Sequence, residues 1–263
     1  MTTVADILQY MDTLAPRSMK MDWDNVGLLC GSRKGSVTKI LVALDPFEHV
    51  CKEAAEWGAE LIVTHHPIIF QAMKSITDDT SIGRGIMTLL RNGICAINAH
   101  TNLDCAPGGV NDVLARTLGL QDIQVIDPSG VDENGNEWGL LRCGNVSEQT
   151  LEAFLATVKA RLGCDGLRYV DGGKPVRKIA VGGGSCAGGM QEALAAGCDT
   201  FVTADIKYNQ FWDAKDLGLN LIDAGHFQTE NPVVAVLAEK LQAQFPDVEV
   251  KISESHKDCM KFY

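Results

Sequence analysis

The residues of this 263-residue chain with the clearest potential for chemistry are histidines and carboxylates that follow apolar segments. In chain order they are His65, His66, His100, Asp104, His226 and Glu230. Imidazole and carboxylate ligands suit zinc, iron, manganese, cobalt or nickel, and thiolate is not required. The pattern predicts two divalent metal ions per chain, bound by the following ligands: His65, His66, Asp104, His226 and Glu230. His100 and Asp205 are further candidates for the same site.

The adjacent pair His65-His66 suits two ions better than one. Neighbouring side chains of an extended segment point in different directions, so each imidazole can reach an ion of its own. The plain alternative is one buried, hydrogen-bonded histidine beside one surface histidine. Asp104 alone could cap a turn, and His226 alone could make a hydrogen bond at a helix start. Five such residues at strand ends together favour the metal interpretation.

The segments that must position these residues have an α/β pattern. The run 61–64 is apolar and β-branched, which is typical of a buried parallel strand, and Pro67 ends it. Strands over 39–44 and 60–64, with a helix over 47–57 between them, predict a right-handed β-α-β unit. Strands over 94–98 and 219–223 directly precede His100 and His226. Because ligands of open α/β sheets collect at the carboxyl ends of strands, we expect these side chains to converge.

The middle of the chain gives further expectations. Residues 127–139 are predicted to form a polar loop, 138–143 a strand, and 147–162 a helix with Ser147 as its N-cap. The glycine-rich run Gly182–Gly189 follows a predicted strand, where free N–H groups can hold a phosphate. It lacks the Lys-Ser/Thr of a Walker loop, and a plain tight turn is the alternative.

An internal repeat predicts two related halves. Residues 39–64 align with residues 178–203 without gaps, Lys39 on Lys178 and Thr64 on Thr203. The expected fold is therefore two related three-layer α/β lobes with mostly parallel sheets, facing each other across a metal-binding cleft. The first lobe is predicted to comprise residues 1–127 plus 226–263, and the second residues 128–225.

Composition excludes several other classes of protein. With 46% hydrophobic and 22% charged residues the chain is globular, and no apolar run approaches the length of a membrane span. A net charge of −11 argues against nucleic acid as the main partner, including DNA bound by a ring-shaped assembly. The nine cysteines form no C-x-x-C pair, and the N-terminus lacks the features of a signal peptide. We expect a reduced, cytoplasmic protein.

Four motifs, in this order, closely resemble the Nif3-like proteins, also known as GTP cyclohydrolase 1 type 2 homologues. They are Trp23-Asp24-Asn25-Val26-Gly27-Leu28, Thr64-His65-His66-Pro67, His100-Thr101-Asn102-Leu103-Asp104 and Gly225-His226-Phe227-x-Thr229-Glu230. The resemblance implies the Nif3-like fold, a dinuclear centre with the five ligands named above, and a toroidal homohexamer. It also implies the short form of the family, because the chain has no room for the inserted domain of longer members. The tail from Ser255 to Tyr263 matches no motif, and His256 is not expected to be a ligand.

The function expected is metal-dependent hydrolysis, in which metal-activated water attacks a nucleotide or another phosphorylated small molecule. Ring opening of GTP is the most specific version. His100 is a tentative catalytic base; the alternatives are a residue that hydrogen-bonds to a metal ligand and a hydrogen-bonded turn residue. Asp24 and Asn25 are tentative substrate-binding residues that could instead hold a turn.

The competing hypothesis is a non-catalytic hexamer that stores or delivers metal or docks a protein partner. Exposed cysteines near the ligands would favour delivery, and Cys105 beside Asp104 is the only such hint in the sequence. Ready exchange of the bound ions would distinguish delivery from catalysis.

Overall fold

The structure is a computed structural model that describes all 263 residues. The chain divides into two compact units, which are described separately below. Unit 1 comprises residues 1–103 and 234–258, and unit 2 comprises residues 104–233 and 259–263. None of the helices combines the length and apolar character that a membrane span requires.

Helices and strands alternate through most of the chain. The α-helices are α1 (Val4–Leu14), α2 (Glu48–Trp57), α3 (Ser81–Arg91), α4 (Thr101–Cys105), α5 (Val110–Leu118), α6 (Leu151–Leu162), α7 (Met190–Ala195), α8 (Tyr208–Asp216), α9 (His226–Glu230) and α10 (Pro232–Gln244). The strands are β1 (Gly27–Cys30), β2 (Lys39–Ala43), β3 (Leu61–Thr64), β4 (Cys95–Asn98), β5 (Gln121–Ile126), β6 (Gly130–Val131), β7 (Glu137–Trp138), β8 (Leu141–Gln149), β9 (Arg168–Val170), β10 (Val176–Val181), β11 (Thr200–Thr203), β12 (Asn220–Asp223) and β13 (Glu249–Ile252).

Unit 1 contains a five-stranded sheet of order β1-β4-β3-β2-β13. All its pairs are parallel except the edge pair β1–β4. Thr64 pairs with Ala43 on one side and with Asn98 on the other, so the carboxyl ends of β2, β3 and β4 lie level. Every residue of β3 and β4 is buried. The segments after these strands therefore leave the sheet at one edge, where parallel sheets bind ligands.

Unit 2 contains a six-stranded sheet of order β5-β8-β10-β11-β12-β9. The three central strands β10, β11 and β12 are parallel, and antiparallel strands flank them. In both units, then, the strands that precede the candidate site residues are parallel neighbours. The expected α/β class with mostly parallel pairing is confirmed for these strands, and the antiparallel strands lie at the sides of the sheets.

The middle of the chain differs from the sequence-based expectation. Strand β8 runs to Gln149 along β10, so Ser147 lies in a strand and is not a helix N-cap. Helix α6 begins at Leu151, and the side chain of Thr150 accepts from the N–H of Ala153 as its N-cap. Within residues 127–139, expected to be a loop, β6 and β7 form a small hairpin. Strand β5, assigned by sequence to the first lobe, pairs with β8 in the sheet of unit 2.

The internal repeat extends to individual hydrogen bonds. In unit 1, Nζ of Lys39 donates to the carbonyl of Trp57 at 3.2 Å. In unit 2, Nζ of Lys178 donates at 2.7 Å to the carbonyl of Ala196, which aligns with Trp57. Each lysine thus satisfies the C-terminal end of the helix inside its own β-α-β unit, where a cation is favoured by the helix dipole.

Arg142 of β8 is the largest fully buried side chain of the protein. Its guanidinium donates to both carboxylate oxygens of Asp112, at 3.0 and 3.3 Å, and to the carbonyls of Gly139 at 2.6 Å and Cys105 at 3.0 Å. A guanidinium offers five donors in a rigid plane, so it can satisfy several buried acceptors at once. Arg142 therefore fixes the chain directly after Asp104.

Replacing Arg142 should strongly destabilise unit 2. In Arg142→Met the buried carboxylate of Asp112 loses its cation and two carbonyls lose their donor, which should cost about 3–5 kcal/mol. Urea unfolding followed by circular dichroism measures the loss. The control is Arg177→Met, which removes the exposed ion pair with Glu148 and should change stability by about 0.5 kcal/mol or less. Equal effects of the two substitutions would contradict the role assigned to Arg142.

Candidate metal centre

The candidate ligands of unit 1 lie at the carboxyl end of β3. The hydroxyl of Thr64 donates to the carbonyl of His66 at 2.7 Å, and the N–H of His66 donates to the carbonyl of Leu44 at 2.9 Å. These two bonds fix the backbone immediately after the strand. The side-chain nitrogens with which His65, His66 and His100 could bind a metal all lie within 4.8 Å of one another. The predicted convergence of the imidazoles after β3 and β4 thus holds within unit 1.

Each histidine of the candidate set is held through its Nδ1 atom. The acceptors are the carbonyl of Ala99 for His65 at 2.9 Å, Asp45 for His66 at 2.7 Å, Asp24 for His100 at 2.8 Å and Asp205 for His226 at 2.7 Å. A carbonyl or an ionised carboxylate only accepts, so each Nδ1 carries a hydrogen, and in the neutral ring Nε2 is the nitrogen that can bind a metal. This is the state of a metal-binding imidazole, whose other ring N–H is normally donated to such an oxygen.

Asp24 fixes His100 and the start of α4. One of its oxygens accepts from His100, and the other accepts from the N–H of Thr101 at 3.0 Å and from its hydroxyl at 2.5 Å. Burial raises the pKa of this carboxyl, but the hydrogen bonds from His100 and Thr101 outweigh burial and hold the pKa well below its usual range. The side-chain amide of Asn25 donates to the carbonyl of Ile69 at 2.7 Å. These contacts favour the turn-holding interpretation of Asp24 and Asn25.

An exposed aromatic pair lies beside His100. The rings of Trp23 and Phe70 contact each other edge to face with centroids 5.7 Å apart, and both contact the imidazole of His100 at 6.1 and 6.0 Å. Trp23 is 63% exposed and Phe70 is 51% exposed. Large aromatic surfaces left in contact with water next to a histidine can pack against a planar ligand.

The candidate ligands of unit 2 include two buried carboxylates. Asp104 of α4 and Glu230 of α9 are both buried, and the oxygens that they could offer to a metal lie within 4.8 Å of each other. Nε2 of His226 lies 3.0 Å from Oε2 of Glu230, one helical turn away. The acceptor for Nδ1 of His226 is Asp205, which adopts a left-handed φ of +52°. Asp205, a further candidate ligand in the sequence analysis, is therefore placed to orient the candidate metal ligand His226.

The glycine-rich run after β10 makes room for the carboxylate of Glu230. Gly184 has a φ of +61°, and a Cβ atom there would lie 2.2 Å from Oε1 of Glu230. The N–H of Gly183 donates to Asn111 at 2.7 Å, and that of Gly184 donates to the hydroxyl of Thr229 at 3.0 Å. Because these donors already serve side chains of the protein, the tight-turn interpretation is favoured over a phosphate-binding loop.

The cysteines nearest these carboxylates are poor metal ligands. Burial raises the pKa of Cys105 to about 12, and the nearby charge of Asp104 adds to the effect. Burial, followed by the charges of Asp104 and Glu230, also raises the pKa of Cys186 well above its usual range. Only the thiolate binds a metal well, so nitrogen and oxygen atoms are the candidate donors in unit 2.

Sequence analysis did not identify Asp45 as a site residue. It is the second residue after β2, as His66 is the second residue after β3, and its carboxylate accepts from Nδ1 of His66 and, at 2.9 Å, from Nε2 of His256. Burial raises the pKa of Asp45, but the hydrogen bonds from His256 and His66 outweigh it and lower the pKa well below its usual range. The signal available was its position: β2 and β3 are neighbouring parallel strands, so residues after them share an edge.

A family model described as Duf34/NIF3 (NGG1p interacting factor 3) matches residues 2–259. The chain belongs to the Duf34/NIF3 family. It is 40% identical over 260 residues to a Clostridium perfringens protein named GTP cyclohydrolase 1 type 2 homolog, with 98% of each chain covered.

Solved structures agree with membership of the NIF3 family. A Staphylococcus aureus hypothetical protein, SA1388, is similar with a TM-score of 0.92 and 32% identity, covering 99% of both chains. A Bacillus cereus protein described as related to NIF3 is similar with a TM-score of 0.91 and 28% identity, covering 100% of this chain and 99% of its own. The resemblance stated from the four sequence motifs and the expected NIF3-type α/β fold are both confirmed.

Substitution of Gly184 should disturb the Glu230 carboxylate of this NIF3 protein. In Gly184→Ala the new methyl group collides with Oε1 of Glu230, and alanine must also adopt a left-handed φ. We expect a loss of about 1–3 kcal/mol in the free energy of unfolding, measured by urea titration. The control is Gly188→Ala, where a Cβ meets no atom within 4 Å and little change is expected. A Gly184→Ala protein as stable as Gly188→Ala would show that the glycine is not needed there.

Proposed function

We propose that this NIF3 protein binds two divalent metal ions per chain and uses them to hydrolyse a nucleotide or another phosphorylated small molecule. The proposed ligands are His65, His66, Asp104, His226 and Glu230. The observation that carries the proposal is the oxygen acceptor on Nδ1 of every candidate histidine, which leaves Nε2 as a metal donor. Membership of the family and the names of its relatives support the proposal.

The donor set fits borderline divalent ions. Imidazole nitrogens and carboxylate oxygens suit zinc, iron, manganese, cobalt or nickel, and the high pKa of the neighbouring thiols disfavours a thiolate site. When bound, such ions polarise a substrate oxygen and lower the pKa of water toward neutrality, so that hydroxide is available for attack. The protein's own part is to hold the ligands in place beforehand, which the carbonyl of Ala99 and the carboxylates of Asp45 and Asp205 accomplish.

His100 is proposed as the general base. Asp24 accepts from its Nδ1, so Nε2 carries the lone pair that can take a proton. The buried, ionised carboxylate of Asp24 would also stabilise the imidazolium that forms. In this assignment Asp24 and Asn25 support the site by fixing His100 and its loop, and direct contact of either residue with substrate stays a prediction.

A substrate with a planar ring is favoured over a simple phosphoester. Trp23 and Phe70 expose aromatic surface beside His100, which is the arrangement needed to pack against a heteroaromatic ring. Ring opening of GTP is the most specific form of the proposal, because relatives are named GTP cyclohydrolase 1 type 2 homolog. A homohexamer and a cytoplasmic location, expected from the sequence, stay predictions.

The alternative is a non-catalytic protein that delivers metal or docks a partner. Its one sequence hint was Cys105, and this residue is fully buried with a raised pKa. A transfer ligand must be reachable by an acceptor, so the position of Cys105 argues against a delivery role. Fast exchange of the ions without turnover would nevertheless favour this alternative.

Metal content tests the proposed ligands. Protein purified without chelator should contain about two divalent ions per chain by mass spectrometry, and the variant His65→Ala/His66→Ala should lose them while its circular dichroism is unchanged, because two imidazole donors are gone. The exposed His49→Ala is the control and should keep both ions. Absence of metal from the native protein, with none bound on addition, would refute the metal centre and the hydrolase proposal together.

The role of His100 requires a separate measurement. His100→Ala should keep both ions but lower the turnover of GTP about 10²- to 10⁴-fold, the usual contribution of a general base. Metal content and GTP turnover are measured on the same sample, with His49→Ala as control. Loss of metal from His100→Ala would make this histidine a ligand instead, which its closeness to His65 and His66 allows.

A further inference from the structure

Residues 253–256, which follow β13 in unit 1, run past the end of β2 toward Asp45. Strand β13 pairs in parallel with β2, and the N–H of Ser253 donates to the carbonyl of Val42 at 2.8 Å. The chain that follows β13 is therefore guided to the sheet edge at which β2, β3 and β4 end. In the sequence, the tail from Ser255 onward matched no motif, and His256 was not expected to be a ligand.

Glu53 of α2 anchors this segment. Its carboxylate accepts from the hydroxyls of Ser253 at 2.5 Å and Ser255 at 2.6 Å, and from the N–H of Glu254 at 2.9 Å. Burial raises the pKa of Glu53, but the bonds from Ser253 and Ser255 outweigh it and lower the pKa to about 2. The N–H of Ser255 also donates to this carboxylate, at 3.1 Å. An ionised carboxylate that accepts four hydrogen bonds from one short segment fixes the backbone just before His256.

His256 reaches the proposed ligand His66 through Asp45. Its side chain is only 5% exposed, and Nε2 donates to Oδ2 of Asp45 at 2.9 Å. Oδ1 of the same carboxylate accepts from Nδ1 of His66 at 2.7 Å. The rings of Phe47 and His49 lie 5.7 and 5.9 Å from that of His256. Because one histidine holds each oxygen, the carboxylate cannot rotate without breaking a charge-assisted hydrogen bond.

We infer that His256 is a positioning residue which, through Asp45, fixes the orientation and the Nδ1–H tautomer of His66. The inference rests on the proposed function only where it concerns metal, because the hydrogen bonds themselves belong to the protein alone. A carboxylate that orients a metal-binding histidine typically contributes ten- to hundredfold in metal affinity. His256 acts one bond further away, so its effect should be smaller than that of Asp45.

The first test uses metal-free protein. The ¹⁵N resonances of the His66 ring, assigned by NMR, should report the Nδ1–H tautomer in the native protein and in the control Arg177→Met, which removes an exposed ion pair. In His256→Ala the Asp45 carboxylate is released on one side, and the resonances should shift toward a mixture of tautomers. His256→Gln, whose amide can donate to Asp45, should restore the native pattern. Native resonances in His256→Ala would overturn the inference.

The second test measures release of zinc from the loaded protein to excess EDTA. His256→Ala should release zinc about three- to tenfold faster and Asp45→Asn about ten- to hundredfold faster. In an Asp45→Asn background, His256→Ala should have no further effect, because its path to His66 is already broken. Equal acceleration in both backgrounds would show that His256 only stabilises the fold and would overturn the inference.

The two tests separate the inference from the proposed function. If the native protein binds no zinc while the His66 tautomer depends on His256, the metal proposal fails and the positioning role of His256 stands. If zinc is bound and neither the tautomer nor the release rate responds to His256→Ala, the positioning role fails and the metal proposal stands.

Discussion

The chemistry of this protein depends on one constraint, which is that an imidazole can offer Nε2 to a ligand only if an acceptor takes the hydrogen on Nδ1. The chain provides that acceptor for all four histidines of the candidate set. Three of the acceptors are carboxylates, and hydrogen bonding keeps the pKa of both Asp24 and Asp45 low enough that they stay ionised. The acceptors come from loops that follow parallel strands or lead into the sheet, so the geometry of the sheets determines where the imidazoles point.

The repeated β-α-β unit explains why both units contribute suitable residues. The aligned carboxylates Glu60 and Asp199 accept the N–H groups of the aligned lysines Lys39 and Lys178, at 2.8 and 2.9 Å, so the two copies share a detailed scaffold. On that scaffold, His66 and Asp205 occupy equivalent positions after the second strand. One is a candidate ligand, and the other holds the candidate ligand His226. The same backbone position thus carries a candidate ligand in one unit and a residue that orients a candidate ligand in the other.

Local pattern was sufficient to predict the strands that lead into the site. β3 and β4 are buried along their whole length, so their apolar runs were unambiguous, and the polar residues after them were found from position alone. Prediction failed for Ser147, where a helix-capping sequence lies instead in the extended β8, because pairing with β10 outweighs local preference. Strand β5 was not predicted as a strand, and its exposed polar residues Gln121, Asp122 and Gln124 face away from the core while it pairs with β8.

The residues that orient the ligands could not be found in the same way. Asp45 and His256 are 211 positions apart, and their hydrogen bond exists only because β13 lies beside β2. No spacing rule links such residues, since the contact is a property of the assembled sheet. Asp24 was noticed in the sequence as either a substrate-binding or a turn residue, because its contact with His100, 76 positions later, could not be predicted from spacing either.

Both units hold their candidate ligands through bonds to the protein itself. In unit 1, Glu53 fixes the segment that carries His256, and in unit 2, Arg142 fixes the chain beside Asp104 while Gly184 leaves space for Glu230. Structural zinc sites, in contrast, gain their folding energy from the metal and are unfolded without it. Ligands that are already oriented lose little conformational freedom when an ion binds, so more of the binding free energy is expressed as affinity. They would also orient a bound ion in a defined way, which a catalytic centre requires and a metal store does not.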